Sequence, residues 1–394
     1  MQTWNREQQE IIDTIDQNTE IILNVLHEIH SNPELGNREF KATALLQKTL
    51  ADAGFTVTPN FAGIETAFIA QKGSGANPKI AYLCEYDALP EIGHACGHNV
   101  IAATSLAAGI GLASVIDRVG GTVYVIGTPA EETQGAKVAM VDQQLFKDYD
   151  AAMMIHAYNH NYRFTNALAV MRFQLAFKGK PSHASGSPWE GINALDAMNL
   201  TFAGISAFRQ QMKPDWRVHG IITDGGTAPN IIPERTVARF YLRAGLDREL
   251  EILFERFKNI VNGAALMTGA TAELFDFGAR YDCMTNNRPL AERTEKYAVE
   301  GLGAGSFDEA PASFGSIDMG NVSGQCPAIH MLIGITEGKE IPLHTPEFRE
   351  AAISPSAQAE TIRMGKALAL TGLDVINDEG FRRAVRMEFD HVHQ

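Results

Sequence analysis

The sequence predicts an α/β protein. An α/β/α layered domain is assembled from both ends of the chain, and a ferredoxin-like β-α-β-β-α-β domain is inserted between them. Three observations carry that expectation. Lys79–Cys84, Gly121–Pro129 and Asp150–His156 are apolar runs that read as buried strands, and each leads into metal-type side chains. From Leu168 the pattern changes to the alternation of a sheet wet on one side, with two helical stretches set among four strand-like ones. Beyond Cys283 the first pattern of helices and apolar strand returns. The expected division is 1–166 with 283–394, and 167–282, in keeping with two domains for 394 residues.

Taken in order, apolar positions at Ile11, Ile12, Ile15, Ile21, Ile22, Val25, Leu26 and Ile29 give a helical period over residues 5–29, broken at His30–Glu34. A second helix runs from Arg38 to Ala53 and stops at Gly54. Phe55–Thr58 and Glu65–Gln71 alternate like strands, ahead of the buried lead-in at Lys79–Cys84. The Gly/Ala-rich run from Asn99 to about Ile116 suits a buried helix. In the inserted domain, strands are expected at Leu168–Lys178, Arg217–Thr223, Thr236–Ala244 and Thr271–Tyr281. Helices are expected at Trp189–Met212 and Arg248–Leu266. The last third reads as a helix at Glu292–Leu302, an apolar strand at Ala328–Ile335, a rigid loop at Ile341–Phe348 and a helix at Pro355–Leu370. That last helix is entered through Ser354 as N-cap with proline at its first position.

Composition bounds the function. A formal net charge of -14 argues against a nucleic-acid partner, because a phosphate backbone demands cations. Cys84, Cys96, Cys283 and Cys326 have no framework spacing, so reduced thiols and a cytoplasmic location are expected. The first ten residues lack the apolar core of a secretory signal, and the apolar run after His98 is interrupted by Asp117 and Arg118. Neither export nor a membrane partner is therefore expected.

The chemistry centres on residues 83–98, Leu-Cys-Glu-Tyr-Asp-Ala-Leu-Pro-Glu-Ile-Gly-His-Ala-Cys-Gly-His. His94, Cys96 and His98 fall at alternate positions in a glycine-containing loop, where packing gives no reason for three metal-type side chains. Thiolate and imidazole suit zinc. His156 and His344 add to the set, and Cys96 is the natural bridge between two ions. Asp87 either orients a ligating imidazole or caps the turn at Ala88–Pro90. Glu131 and Glu132 repel each other unless something positive neutralises one. One carboxylate could then ligate while its neighbour accepts a proton; the bland alternative is an acidic first turn of a helix. His183, between a strand and a helix, is a candidate oxyanion donor or a capping residue. Asn230, after Gly225-Gly226-Thr227-Ala228-Pro229, is a candidate for gripping substrate.

The motifs EYDALP…GHACGHN, GTPAEE, MMIHAY, FKGKPSHAS, GGTAPNIIPE, GSIDMGNVS and LHTPEF, with HSNPELGNREF at residues 30–40, resemble the M20 family of metallopeptidases over essentially the whole chain. The nearest branch holds aminobenzoyl-glutamate hydrolases and M20 dipeptidases. The resemblance implies a zinc-peptidase-like catalytic domain with an inserted lid or dimerisation domain. It also implies two divalent ions, zinc foremost with manganese or cobalt as alternatives, and a homodimer or higher oligomer. The reaction implied is cleavage of an amide bond in small carboxylate-bearing substrates such as dipeptides or aminobenzoyl-amino acids. Cys96 resembles the bridging ligand, and His98, Glu132, His156 and His344 the remaining ligands. Glu131 resembles the general base and Asp87 the carboxylate behind a ligating histidine. His183 resembles the inserted-domain histidine that reaches an active site, commonly the partner's. Asn230 falls in the substrate-contacting loop, and Arg243 and Arg280 are candidates for holding a substrate carboxylate or are plain strand arginines. Asn99, and Cys84-Glu85-Tyr86-Asp87 in place of R-A-D-M-D, depart from the wider amidohydrolase branch and fit the dipeptidase-like subset. The competing readings are an N-acyl-amino-acid deacylase on the same centre and a noncatalytic binding or assembly protein that has kept the fold.

Overall fold

The computed structural model describes residues 3–310 and 315–393. They form two compact units. One takes in the chain up to Asn166 and resumes at Met284; the other is Ala167–Cys283, joined by Gly315–Ile317.

The first unit opens with helices α1 (Arg6–Gln17), α2 (Thr19–Ser31) and α3 (Phe40–Asp52). The single helix expected over residues 5–29 is two, because Asn18 turns its side-chain amide back onto the carbonyl of Thr14 and ends the first. Strands β1 (Thr56–Pro59), β2 (Phe68–Gly73) and β3 (Lys79–Cys84) follow, then α4 (His98–Ala113), α5 (Ile116–Val119) and β4 (Thr122–Gly127). Helix α6 (Ala136–Asp142) and β5 (Ala151–Tyr158) complete this stretch. The six-stranded sheet has the order β1-β2-β4-β3-β5-β10, with β10 at Ala328–Gly334. Its four strands β4, β3, β5 and β10 are parallel, and β2 and β1 are added antiparallel at one edge. Parallel strands covered on both faces need continuous apolar runs, which is what β3, β4 and β5 supply.

Helix α4 decides the packing. All 16 of its residues are buried, His98 and Asn99 included. A helix apolar on every side must be enclosed, and α4 lies between β3 and β5 and the helices α1, α2 and α12 (Pro355–Asn377). Small residues permit the approach: a Cβ on Gly109 would stand 2.3 Å from Val125 Cγ2, and one on Gly365 of α12 would stand 2.5 Å from Ala107 Cβ. The remaining helices are α9 (Arg288–Lys296), which runs into a π-turn at Tyr297–Gly301, α10 (Met319–Ser323), α11 (Pro346–Ala351) and α13 (Glu379–Val392).

The second unit has the order β6 (Ala169–Lys178), α7 (Ala194–Phe208), β7 (Arg217–Asp224), β8 (Arg235–Ala244), α8 (Asp247–Thr268), β9 (Thr271–Asp276). The sheet order is β7-β8-β6-β9, antiparallel throughout, which is the ferredoxin-like arrangement expected of it. Its own core includes Phe173, Leu175, Phe240, Leu253 and Phe257, with Phe173 stacked on Phe254 at 4.5 Å between ring centroids. Strand β9 stops at Asp276, short of the expected Tyr281, which rejoins β6 only as an isolated bridge to Val170. Among the described residues no helix is long and apolar enough to cross a membrane.

Candidate metal centre

The parallel strands β3, β4 and β5 end at one edge of the sheet, where open α/β sheets gather their chemistry. Strand β3 runs into Glu85, Tyr86 and Asp87. Strand β4 runs into Thr128, whose backbone N–H and hydroxyl both donate to the carbonyl of Cys84 (2.8 and 3.0 Å), so the two exits are stapled together. Next comes Ala130 in the left-handed conformation (φ 61°), then Glu131 and Glu132. Gly97, at φ 82°, caps α4 and turns the chain so that Cys96 and His98 flank it; a Cβ there would stand 2.7 Å from that of Ala157. His156 lies inside β5, two residues before its end. His344, also left-handed at φ 63°, is held by its N–H donating to the carbonyl of Ala95 (2.9 Å).

These loops bring seven of the side chains singled out in the sequence to one place. Cys96 Sγ is 3.5 Å from His156 Nε2, and His344 Nε2 is 3.4 Å from Glu132 Oε1. Donor atoms of Cys96, His98 and His156 lie within 4.8 Å of one another; so do those of Cys96, Glu132 and His344, and those of His98, Glu131 and Glu132. Cys96 therefore belongs to two triads with different partners. Asp87 stands behind them: Oδ1 accepts from His98 Nδ1 (3.0 Å) and Oδ2 accepts the backbone N–H of Glu132 (3.0 Å). With Nδ1 donating, His98 turns Nε2 inward as a lone pair, and His156 does the same by donating Nδ1–H to the carbonyl of Ala157 (2.7 Å).

Two buried atoms, His98 Nε2 and Glu132 Oε1, have no hydrogen-bond partner, which is costly for polar groups unless a cation completes them. The protonation pattern agrees. Burial, with the charges of Glu85, Glu132 and Asp318, pushes the Glu131 carboxyl well up; burial and the charge of Glu132 do the same to the Cys96 thiol. For Glu132 burial raises, but the nearby His344 imidazole and the charge of His98 outweigh it and hold its carboxyl down. Burial also works against a charged His98, yet Asp87 and Cys96 pull its pKa well up. A pocket that gathers protons onto converging donors is one where divalent cations would displace them. Thiolate, imidazole and carboxylate together fit zinc-type ions.

Next to this group lies a network that residue types alone did not reveal. Lys137, on α6 and without solvent exposure, donates to Glu85 Oε1 (2.6 Å) and Asp318 Oδ1 (2.7 Å), while its backbone N–H reaches Asp318 Oδ2 (3.2 Å). The other Glu85 oxygen is 3.5 Å from His98 Nε2. Lysine reads as a surface residue, and only its place in the apolar Ala136–Met140 run hinted at burial. His94, by contrast, is outside the converging groups; its ring lies against that of His30 at 6.3 Å, and burial presses its pKa down to about 3.

The other four candidates are in the second unit. His183 is exposed, its Nδ1 accepts the backbone N–H of Gly186 (3.0 Å), and in the neutral ring Nε2 then carries the proton. Its neighbour Ala184 donates to the carbonyl of Asn230 (3.0 Å). Arg243 is half-buried and donates to Ser316 Oγ (2.8 Å), and Arg280 is paired with Glu251 and Asp282.

Residues 84–361 match the model of peptidase family M20/M25/M40. The chain is 38% identical to the Xaa-Arg dipeptidase of Mus musculus, across 96% of this chain and 90% of that one, and 36% identical to its Homo sapiens counterpart over the same shares. It is 35% identical to one of the p-aminobenzoyl-glutamate hydrolase subunits of Escherichia coli (strain K12), over 67% of this chain and 59% of that one. Among solved structures, a dinuclear metal-binding M20 peptidase of Bacillus subtilis superposes with a TM-score of 0.66 at 21% identity, covering 91% of this chain and 99% of the other.

Proposed function

This chain belongs to peptidase family M20/M25/M40, and from that premise we propose that it is a di-metal dipeptidase acting on dipeptides with a basic C-terminal residue. The observation that carries the reading is the sharing of Cys96 between two donor triads, with Glu131 in a third beside them. The likeness to Xaa-Arg dipeptidases across nearly the full length of both chains supports the substrate class.

Cys96, His98, Glu132, His156 and His344 would hold the pair of cations, zinc by the softness of the donor set, with Cys96 in common. When bound, such ions acidify water and polarise a carbonyl. Glu131 takes the proton of the attacking water and returns it to the leaving amine, a task suited to a carboxyl whose pKa burial has raised. Asp87 keeps the ligating face of His98 turned inward and steadies the backbone of Glu132. His183 offers its Nε2–H to the negative oxygen of the tetrahedral intermediate. Asn230 and Arg243 grip the substrate carboxylate; Arg280, already paired with two carboxylates, is the weaker candidate. We assign subunit pairing to the second unit, whose edge strand β7 exposes Ile221 and Ile222, and a cytoplasmic location to a chain whose cysteines are all free.

The test is hydrolysis of a panel by protein reconstituted with zinc, manganese or cobalt: dipeptides, β-alanyl dipeptides, N-acetyl amino acids and aminobenzoyl-glutamate. Dipeptides ending in arginine or lysine should give the highest kcat/KM. Fastest turnover of N-acetyl amino acids would replace this reading with the deacylase. Glu131→Gln should retain metal and lose about 10²–10⁴ in kcat; a variant that still turns over normally removes Glu131 as the base.

A further inference from the structure

The segment Pro33–Glu39 is part of the family-like pattern, yet it supplies no donor to the metal centre. It touches two of the loops that do. The carbonyl of Glu34 accepts the N–H of Ala88, directly after Asp87 (2.8 Å), and Leu35 bridges Ala88 in parallel. Gly36 presses on the Ala130–Thr133 turn so closely that a Cβ would stand 2.5 Å from Thr133 Oγ1 and 3.0 Å from Ala130 Cα. Asn37 donates to the side chain of Gln134 (2.7 Å).

Glu39 completes the contact. Its carboxylate has no solvent exposure; Oε1 accepts the backbone N–H of Ala130 (2.9 Å) and Oε2 accepts the hydroxyl of Thr66 (2.8 Å). Thr66 in turn receives the hydroxyl of Tyr86 at its carbonyl (2.6 Å), so the chain of bonds returns to the residue before Asp87. A buried carboxyl is unfavourable unless its oxygens are hydrogen-bonded, and here both are. What it secures is specific. Ala130 carries a Cβ in the left-handed region, a conformation that persists only when its surroundings impose it. The next two residues are Glu131 and Glu132.

We propose that Glu39 is a positioning residue of the metal centre: through its hydrogen bond to Ala130 it holds the turn that aims Glu131 and Glu132. The inference rests on the metal-centre reading above but on no particular substrate.

The experiment compares wild type, Glu39→Gln and Glu39→Ala. Zinc affinity is read by competition with a chromophoric chelator, and amide exchange at Ala130 is read in the metal-free protein. In Glu39→Gln the side-chain oxygen still accepts from Ala130, so zinc affinity and kcat should stay within about twofold of wild type. In Glu39→Ala the Ala130 N–H loses its acceptor. Zinc affinity and kcat should then fall about 10–100-fold, with KM for the best panel substrate little changed. A folded Glu39→Ala with wild-type zinc affinity overturns the proposal, as does a Glu39→Gln that loses as much as the alanine variant. Should Glu39→Ala not fold, exchange decides. Protection of Ala130 in both wild type and Glu39→Gln supports the role, and an unprotected Ala130 amide in wild type overturns it. Wild type that takes up no zinc would sink the metal-centre reading instead, while the exchange result would still judge Glu39.

Discussion

Glu39 has a second consequence, in the pH dependence of folding. Burial, opposed by its hydrogen bonds, raises its carboxyl from 4.5 to about 7. Below pH 4.5 folded and unfolded chains both carry the proton. Between 4.5 and 7 the unfolded chain releases it while the folded chain keeps it, so the stability Glu39 contributes is lost as pH rises through that window. The shift corresponds to about 3 kcal/mol. Many groups titrate there, so the measurement is a difference: in the metal-free protein, Glu39→Gln should gain on wild type by up to about 3 kcal/mol between pH 4.5 and 7.5 in denaturant titrations. A constant gap across that range would show that the carboxyl ionises normally. Legibility at this scale follows side-chain type. Cys96, His98, His156, His344 and the Glu131–Glu132 pair stood out because metal-type side chains crowded into one loop and set at strand ends have no packing reason, although the same signal also picked His94, which lies outside the group. Lys137, Asp318 and Glu39 did not. A single charged residue reads as solvated until the fold removes the water from it, and their partners lie 27 to 181 residues away along the chain.

At the scale of elements, what was legible was whatever buried enough apolar surface to leave a period. Strands β3, β4, β5 and β10 and helix α4 are apolar on both faces and fell where expected. Helices α6, α10, α11 and α13 had no counterpart in the sequence reading. The first three have five to seven residues, too short for a period, and α13 buries only Phe381 and Val385. Helix α12 runs seven residues past the expected Leu370, and Gly372 within that extension is a packing contact. A Cβ on it would stand 2.3 Å from the hydroxyl of Tyr82. Gly365 makes the same kind of approach to α4 and gives a direct test. Replacing a helical glycine normally gains up to about 1 kcal/mol in propensity. Gly365→Val sets that against a branched side chain placed on Ala107, and overpacking at about 1–3 kcal/mol should win. The variant should unfold at lower denaturant than wild type; an unchanged or higher midpoint would mean that α4 and α12 part easily.

The whole molecule adds a property that no single site has. The chain carries 47 acidic and 33 basic residues, a net charge of -14. A dipeptide ending in arginine has net charge of about +1 at neutral pH, whereas one ending in leucine is neutral overall. A negative field draws the first and ignores the second, and salt weakens the field beyond a Debye length of about 8–10 Å at ordinary ionic strength. Capture and chemistry are thereby separable. For the arginine dipeptide, kcat/KM should fall on the order of a few-fold between about 0.01 and 0.5 M monovalent salt. For the leucine dipeptide it should hold nearly constant, and kcat should be indifferent to salt in both. The carboxylates around Glu131 do not predict this, since bound cations would offset them; the excess charge spread over the rest of the surface does. If the preference for arginine survives undiminished in high salt, the choice is made by contacts within reach of the substrate side chain. The acidity of the chain then has no part in catalysis.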